Sequence, residues 1–410
     1  MAHVEGVAAA QSRISRLATL TPVHRAFHWL HLHQLQLRQW QMEMTAIPAP
    51  PFGEAARAAW FLERFEALGL SNVHLDEAGN ALGELAGAGT DKSGPCVLLS
   101  AHLDTVFPAG TDCMPVEADG RLYGPGICDN AAGLTGLLAI GAALRFANIT
   151  PPIPILFAAN VGEEGEGDLR GMKYLFGQGV YRTRIAAAIA LEGSGTSAVV
   201  TRALGSKRFR LSVTGPGGHS WSDAGVPNPI LILSRALAAF DEIPLPETPR
   251  TTLNVGMISG GTSVNSIPES ATALLDLRSS DREQLLTTES RLREVFTELL
   301  LQLPNLNGSS PQISLETIGD RPAAALPDDS SLLQTIRAVD RHLMLKTELR
   351  IGSTDANLPL SLGLPAVAMG TGGTGGGIHT LQEWYDPSGR ETALRRILLT
   401  LLDTTQRAAG

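Results

Sequence analysis

His102 follows the apolar run Val97 to Ala101, and Asp104 lies two residues further on, on the same side of an extended backbone. An imidazole and a carboxylate at a strand end suit a divalent cation. Zinc and related ions accept imidazole nitrogen and carboxylate oxygen, and their catalytic sites leave one position open for water. Asp104 is expected to hold the second ring nitrogen of His102, fixing the tautomer that keeps a lone pair for metal. Alone, the pair also reads as a strand-end histidine and a turn cap. Asp129 sits in Gly124-Pro125-Gly126-Ile127-Cys128-Asp129-Asn130, a glycine-rich turn that opens a helix, where a solitary acid would be an N-cap.

Asp129 is not solitary. Glu163 and Glu164 are adjacent acids just beyond the apolar run Ile153 to Ala158. Neighbouring carboxylates repel unless they share a cation or a proton, so a metal ligand beside a general base accounts for them, with an exposed acidic loop as the alternative. Glu192 ends the run Ile185 to Leu191, and His379 follows the glycine-rich turn Gly370 to Gly377. Each position is a weak signal. Five of them in succession, supplying His, Asp, Glu-Glu, Glu and His, form a strong one. A second histidine cluster, His24, His28, His31 and His33, falls on one expected helix with no acid or glycine-rich turn beside it. It is read as helix surface rather than as a metal site.

The elements that must position these residues follow from periodicity. Val97 to Ala101, Ile153 to Ala158, Ile185 to Leu191 and Ala366 to Met369 are largely apolar runs, as expected of strands buried on both faces. Helices are expected over His24 to Ile47, Glu54 to Leu68, Ala131 to Ala147, Met172 to Phe176 and Leu332 to Leu343, and a strand over Asn72 to Leu75. Residues before Thr21 read as a loose tail or a short helix. Strands alternating with helices predict a mainly parallel sheet in an α/β layer, whose carboxyl ends gather side chains into a crevice.

The pattern changes near Gly205. Lys207 to Thr214 reads as a strand, Asn228 to Asp241 as a helix, Thr252 to Ser259 and Ser270 to Leu277 as strands, Asp281 to Gln302 as a helix and Ile313 to Ile318 as a strand. That β-α-β-β-α-β order predicts a ferredoxin-like α+β domain inserted into the first. The expected division is 1–205 and 320–410 for the catalytic domain and 206–319 for the insert.

Bulk properties exclude several classes. The 410 residues carry a formal charge of −9 and no basic run, which argues against a nucleic-acid surface. No apolar stretch approaches the roughly 20 residues needed to span a bilayer. The first residues lack a secretory pattern, and Cys96, Cys113 and Cys128 form no CxxC pair, so a cytoplasmic protein is expected.

Taken together, Ser-Ala-His102-Leu-Asp104-Thr, Gly-Pro-Gly-Ile-Cys-Asp129-Asn, Gly-Glu163-Glu164-Gly, Glu192-Gly, Gly217-Gly218-His219-Ser220, Asn265-Ser-Ile-Pro, Asp276-Leu-Arg278 and His379-Thr resemble a known family. It is the di-zinc amidohydrolases and peptidases, which include glutamate carboxypeptidase, peptidase T, aminoacylase, acetylornithine deacetylase and succinyl-diaminopimelate desuccinylase. The resemblance covers the chain from about Val23 onward. It implies two Zn2+ per chain, with Co2+ or Mn2+ as substitutes: His102 and Glu192 on one ion, Glu164 and His379 on the other, and Asp129 bridging. It also implies a cis bond after Asp129, Glu163 as the general base acting on a metal-activated water, and Asp104 in support. The insert is implied to be a lid and dimerisation domain, with His219 donating to the oxyanion and Asn265 and Arg278 binding substrate. Arg278 suits a terminal carboxylate through its planar two-pronged donor, with a strand ion pair as the alternative. The segments Gly162 to Gly171, Gly261 to Pro268 and Gly352 to Pro359 are most similar to the peptidase T-like members, which favours short peptides. An N-acyl amino acid deacylase using the same metals and a non-catalytic binding protein are the competing expectations.

Overall fold

The computed structural model describes residues 6–89, 93–302 and 310–409. Two compact units emerge, one formed by Met1–Ala203 with Ala325–Gly410 and the other by Leu204–Ala324.

The first unit is built on a mixed sheet with a parallel centre. Cys96–His102 pairs in parallel with Ile155–Asn160 on one side and Ile185–Leu191 on the other, and Ile185–Leu191 pairs in parallel with Ala366–Met369. These strands are buried along almost their whole length, as continuous apolar runs require. Antiparallel strands flank them. Ala81–Leu85 and then Ser71–Leu75 add on one side, and Ala198–Ala203 adds beside Ala366–Met369 on the other. Because the central strands run the same way, His102 lies opposite Asn160 in register, and the segments bearing Glu163, Glu164 and Glu192 leave from the same edge.

The helix Ala131–Phe146 packs into this unit and is buried nearly all round. Its small residues permit close approach: a Cβ at Gly133 would stand 2.5 Å from the Leu191 carbonyl oxygen. The start of the helix is therefore pressed against the strand end that carries Glu192. A small antiparallel sheet of Thr374–Gly376, Trp384–Asp386, Arg121–Tyr123 and Val116–Ala118 joins the chain leading to Asp129 with the chain on either side of His379. Nothing in the hydrophobic periodicity pointed to it, since its strands are only three residues long.

One helical expectation is corrected and an open one is decided. His24 to Ile47 is not one helix but two, Thr21–Leu32 and Gln34–Thr45, broken at His33, whose φ of −102° and ψ of 21° leave the helical region. There the side chains of His33 and Gln34 bond back to the Trp29 and Leu30 carbonyls. The residues before Thr21 include an ordered helix, Val7–Ala18, with Ala10, Ile14, Leu17 and Ala18 buried. Arg13 of that helix pairs with the buried Asp403 of the helix Arg390–Ala408.

The second unit is a four-stranded antiparallel sheet in the order Thr251–Gly260, Ser270–Ser279, Gly205–Thr214, Gln312–Arg321. With the helices Pro229–Asp241 and Arg282–Leu301 this is the ferredoxin-like arrangement. Burial alternates along Ser270–Ser279, as in a sheet with one covered face. Phe209, Leu211, Val213, Leu275 and Leu277 on that face pack with Leu233, Phe240 and Leu292 of the helices.

Candidate active site

The parallel strands bring His102, Asp104, Glu163, Glu164 and Glu192 to one end of the first unit, and the turns carrying Asp129 and His379 meet them there. His102 Nε2 lies 3.1 Å from Glu192 Oε1 and 3.2 Å from Asp129 Oδ1. His379 Nε2 lies 3.1 Å from Glu164 Oε1 and 3.2 Å from Asp129 Oδ2. Asp129 thus turns one carboxylate oxygen toward each imidazole. His102, Asp129 and Glu192 form one set of potential ligands and Asp129, Glu164 and His379 another, each with its atoms within 4.8 Å of one another. The Asp129–Asn130 peptide bond is cis, and His379 holds a φ of 64°, uncommon for a residue other than glycine.

The donors fit a pair of cations. Glu192 Oε2 is buried and makes no hydrogen bond, which is costly for a carboxylate unless a positive charge compensates it. Protonation behaviour tells the same story. Hydrogen bonds to Asp129 and Glu164 raise the His379 imidazole to about 10. Burial alone would lower His102, yet the charge of Glu192 and hydrogen bonds to the surrounding acids raise it well above the ordinary histidine range. Burial raises Glu192 to about 7. For Asp129 the two imidazoles outweigh burial and hold it far below the usual carboxylate range. The cluster concentrates negative charge and is stabilised by positive charge placed among its oxygens.

Glu163 and Glu164 are separated by geometry. Glu164 faces His379, whereas the Glu163 carboxylate groups with His102 and Glu164 and is absent from the set around His379. Asp104 differs from expectation in its contacts. Its backbone carbonyl, not its carboxylate, sits 3.0 Å from His102 Nδ1; the carboxylate is 3.6 Å away. The two carboxylate oxygens instead accept the backbone N–H groups of Glu163 at 2.9 Å and Glu164 at 2.7 Å. One residue thereby orients the imidazole with its backbone and anchors the Glu-Glu turn with its side chain.

Two polar residues at the site were not singled out from the sequence. Asn130 donates to the Leu191 carbonyl and accepts the Gly193 N–H, bracketing Glu192, while also capping the helix through the Gly133 N–H. Glu383 is fully buried and accepts three N–H groups from the Asp129 turn. The only signal for either is its closeness in sequence to a ligand.

His219, Asn265 and Arg278 belong to the second unit. His219 is exposed in a short antiparallel pair of Gly218–His219 with Ser266–Ile267, segments that lie far apart in the chain. Its Nδ1 accepts the backbone N–H groups of Trp221 and Ser222, so in the neutral ring the proton resides on Nε2, which is left as a donor. The Asn265 carbonyl accepts the Ser220 N–H beside this strand pair. Arg278 Nε donates to Asp276 at 2.6 Å, within a strand interior to its sheet. The four early histidines join no ligand cluster among the described residues: His31 pairs with Glu391, and His33 stacks on Trp29.

Comparison with known proteins agrees with this geometry. The chain is 30% identical over 237 residues to an acetylornithine deacetylase from Myxococcus xanthus, covering 52% of this chain and 59% of that one. It is 27% identical over 308 residues to a succinyl-diaminopimelate desuccinylase from Rhodospirillum centenum, covering 71% and 76%. The chain therefore spans less than two thirds of the Myxococcus relative. Among solved structures, a tripeptidase from Staphylococcus aureus superposes with a TM-score of 0.71 at 22% identity, over 91% of this chain and 98% of that one. Residues 98–403, which run from the strand ending in His102 to well beyond His379, match one sequence family throughout, and the chain belongs to that family, peptidase family M20/M25/M40.

Proposed function

We propose that the protein is a hydrolase using two divalent ions, Zn2+ with Co2+ or Mn2+ as substitutes, to cleave an amide bond in short peptides. The observation that carries this reading is Asp129, whose two oxygens each face a different imidazole while the Glu163 carboxylate stands beside the cluster. His102 and Glu192 would hold one ion, Glu164 and His379 the other, with Asp129 shared. Bound there, the ions supply Lewis acidity toward a water and the scissile carbonyl. Glu163 takes the proton of the attacking water on a carboxylate oxygen and returns it to the leaving nitrogen. His219, whose Nδ1 is taken up by the turn that follows it, donates from Nε2–H to the developing oxyanion. Asn265 and Arg278 hold the substrate, Arg278 through a terminal carboxylate.

The Thr251–Gly260 strand lies at the edge of its sheet and exposes Val255, Met257 and Ile258. An unpaired apolar edge invites pairing with another strand, which supports a homodimer formed through this unit as a lid and dimerisation domain. No helix of the described residues is long and apolar enough to cross a membrane, and the three cysteines are free and buried, which suits a cytoplasmic setting.

The likeness to an acetylornithine deacetylase favours a second reading, deacylation of N-acyl amino acids at the same metals. A panel of di- and tripeptides beside N-acetyl and N-succinyl amino acids, assayed before and after chelation and Zn2+ restoration, separates the two. Metal-dependent turnover of peptides supports the first reading, and turnover of acylated compounds alone replaces it with the second. Absence of metal-dependent hydrolysis across the panel removes both and leaves a binding protein.

A further inference from the structure

Glu383 follows His379 by four residues and immediately precedes the strand Trp384–Asp386, which pairs with Arg121–Tyr123, the strand leading into the Asp129 turn. Its buried carboxylate is thus delivered from one neighbour in the small sheet to the loop that follows the other. Oε1 accepts the N–H groups of Cys128 at 2.9 Å and Asp129 at 2.8 Å, and Oε2 accepts the Gly126 N–H at 2.8 Å. Backbone bonds complete the tie: the Gly124 N–H donates to the Glu383 carbonyl, and the Glu383 N–H donates to the Thr380 carbonyl. A buried carboxylate is tolerable when its lone pairs are filled, and here they are filled by the turn that presents Asp129.

The two halves of the site depend on this tie unequally. On the His102 side, Asn130 brackets Glu192, and His102 Nδ1 is held by the Asp104 carbonyl. On the other side, Asp104 anchors Glu164, but the His379 side chain is 51% exposed and sits on a turn stabilised by short-range bonds around Gly377 and Thr380. Beyond the strand pairing of the small sheet, the Glu383 carboxylate binds this turn to the one bearing Asp129.

We propose that Glu383 is a positioning residue that sets Asp129 against His379, and so governs affinity for the ion shared by Asp129, Glu164 and His379 more than for the ion at His102 and Glu192. The proposal rests on the two-ion reading above.

The test is Co2+ binding to the full-length protein, followed by its visible absorption and by competition with a chelator, together with the melting temperature. The wild-type chain is expected to take two Co2+. Glu383→Gln, which turns an amide N–H toward backbone N–H donors, should keep one ion at wild-type affinity and bind the other roughly 10- to 100-fold more weakly, with an altered spectrum. Glu383→Asp keeps the charge with a shorter reach and should show a smaller loss, and it provides the readout if the Gln variant does not fold. Asp403→Asn is the stability control. This buried acid serves Arg13 and Thr335, and its loss should lower the melting temperature without changing either affinity. Folded Glu383 variants with two wild-type ions and an unchanged spectrum overturn the proposal, as does equal weakening of the second ion by Asp403→Asn. A wild-type chain that takes fewer than two Co2+ instead removes the two-ion reading on which the proposal rests.

Discussion

The two units hold their chemistry-bearing side chains in opposite ways. In the first, each ligand leaves a different strand end or turn, and a buried polar residue ties neighbouring ligand segments together: Asp104 joins His102 to Glu163 and Glu164, Asn130 joins Asp129 to Glu192, and Glu383 joins Asp129 to the His379 turn. In the second, stability comes from one apolar layer between sheet and helices, while His219 lies in an exposed two-residue strand pair, its backbone N–H bonded to Asp223 and its Nδ1 to the Trp221 N–H. A site assembled from distant segments must be preorganised by buried polar bonds, because no short-range turn can fix it. His219 is held by the turn that follows it and by one short strand pair. Changes at the proposed ligands of the first unit should therefore be read in metal content, and changes in the second in turnover at full metal content.

The largest break in that contrast comes from Asp129→Asn. The substitution removes the charge shared by both ligand sets, so both ions should be lost from the purified protein. Activity should fall to that of the chelated wild type, on the order of a millionfold if the acceleration is typical of enzymes. Two retained ions, measured by mass spectrometry of the metals, would sink the bridging role. Glu163→Gln should part the two readouts: turnover falls roughly 100- to 10,000-fold with both ions retained. Parallel loss of metal would make Glu163 a ligand rather than the base.

The contrast also separates what could be read from the sequence from what could not. The gathering of His102, Asp129, Glu163, Glu164, Glu192 and His379 was legible because acids and imidazoles that follow apolar runs or sit at glycine-rich turns are energetically odd, and a shared cation would account for them. The central strands and the ferredoxin-like order were legible for a related reason, since burial on two faces or on one leaves different periodicities. Glu383 and Asn130 left no such mark, because their partners are backbone groups that every residue possesses. Asp104 differed in its details: the carboxylate that spacing placed on His102 stays 3.6 Å from Nδ1, and it also accepts the N–H groups of the Glu-Glu turn. The break at His33 was hidden because the apolar stripe continues on either side of it, with Trp29, Leu30, Leu37 and Met44 all buried. The helix Arg390–Ala408 was not anticipated, although its buried face is nearly continuous from Ala393 to Leu402.

His219→Ala tests the second unit. Loss of one oxyanion donor should lower kcat by roughly 100- to 1,000-fold with both ions retained and little change in melting temperature, since the residue is exposed. A fall in metal content would contradict the division of labour. A smaller effect is expected from pH. Hydrogen bonds to Asp129 and Glu164 raise His379 to about 10 in the metal-free protein, so below that pH an ion must displace a proton to reach the ring. Affinity of this ion should rise with pH, by roughly tenfold per unit where one proton is released, and weaken by the same factor on acidification. Chelator competition at several pH values reads the slope, and a flat profile would remove His379 from the ligand set.

Arg278 should give the smallest effect and the sharpest test of the second unit, because two roles compete for one guanidinium. Its Nε already donates to Asp276, which also receives the Ser206 hydroxyl. A strand ion pair of this kind, about one third exposed, adds little stability once water screens it. Substrate binding predicts something different. A charge-assisted bond to a terminal carboxylate contributes about 1.5 to 3 kcal/mol, and partial exposure favours the lower end, so Arg278→Ala should raise KM by roughly tenfold with kcat and metal content preserved. The rise should vanish for a peptide whose C-terminus is amidated, because the group that Arg278 recognises is then gone. Equal loss on free and amidated peptides would instead assign Arg278 to the ion pair alone, and carboxylate recognition would have to come from another residue.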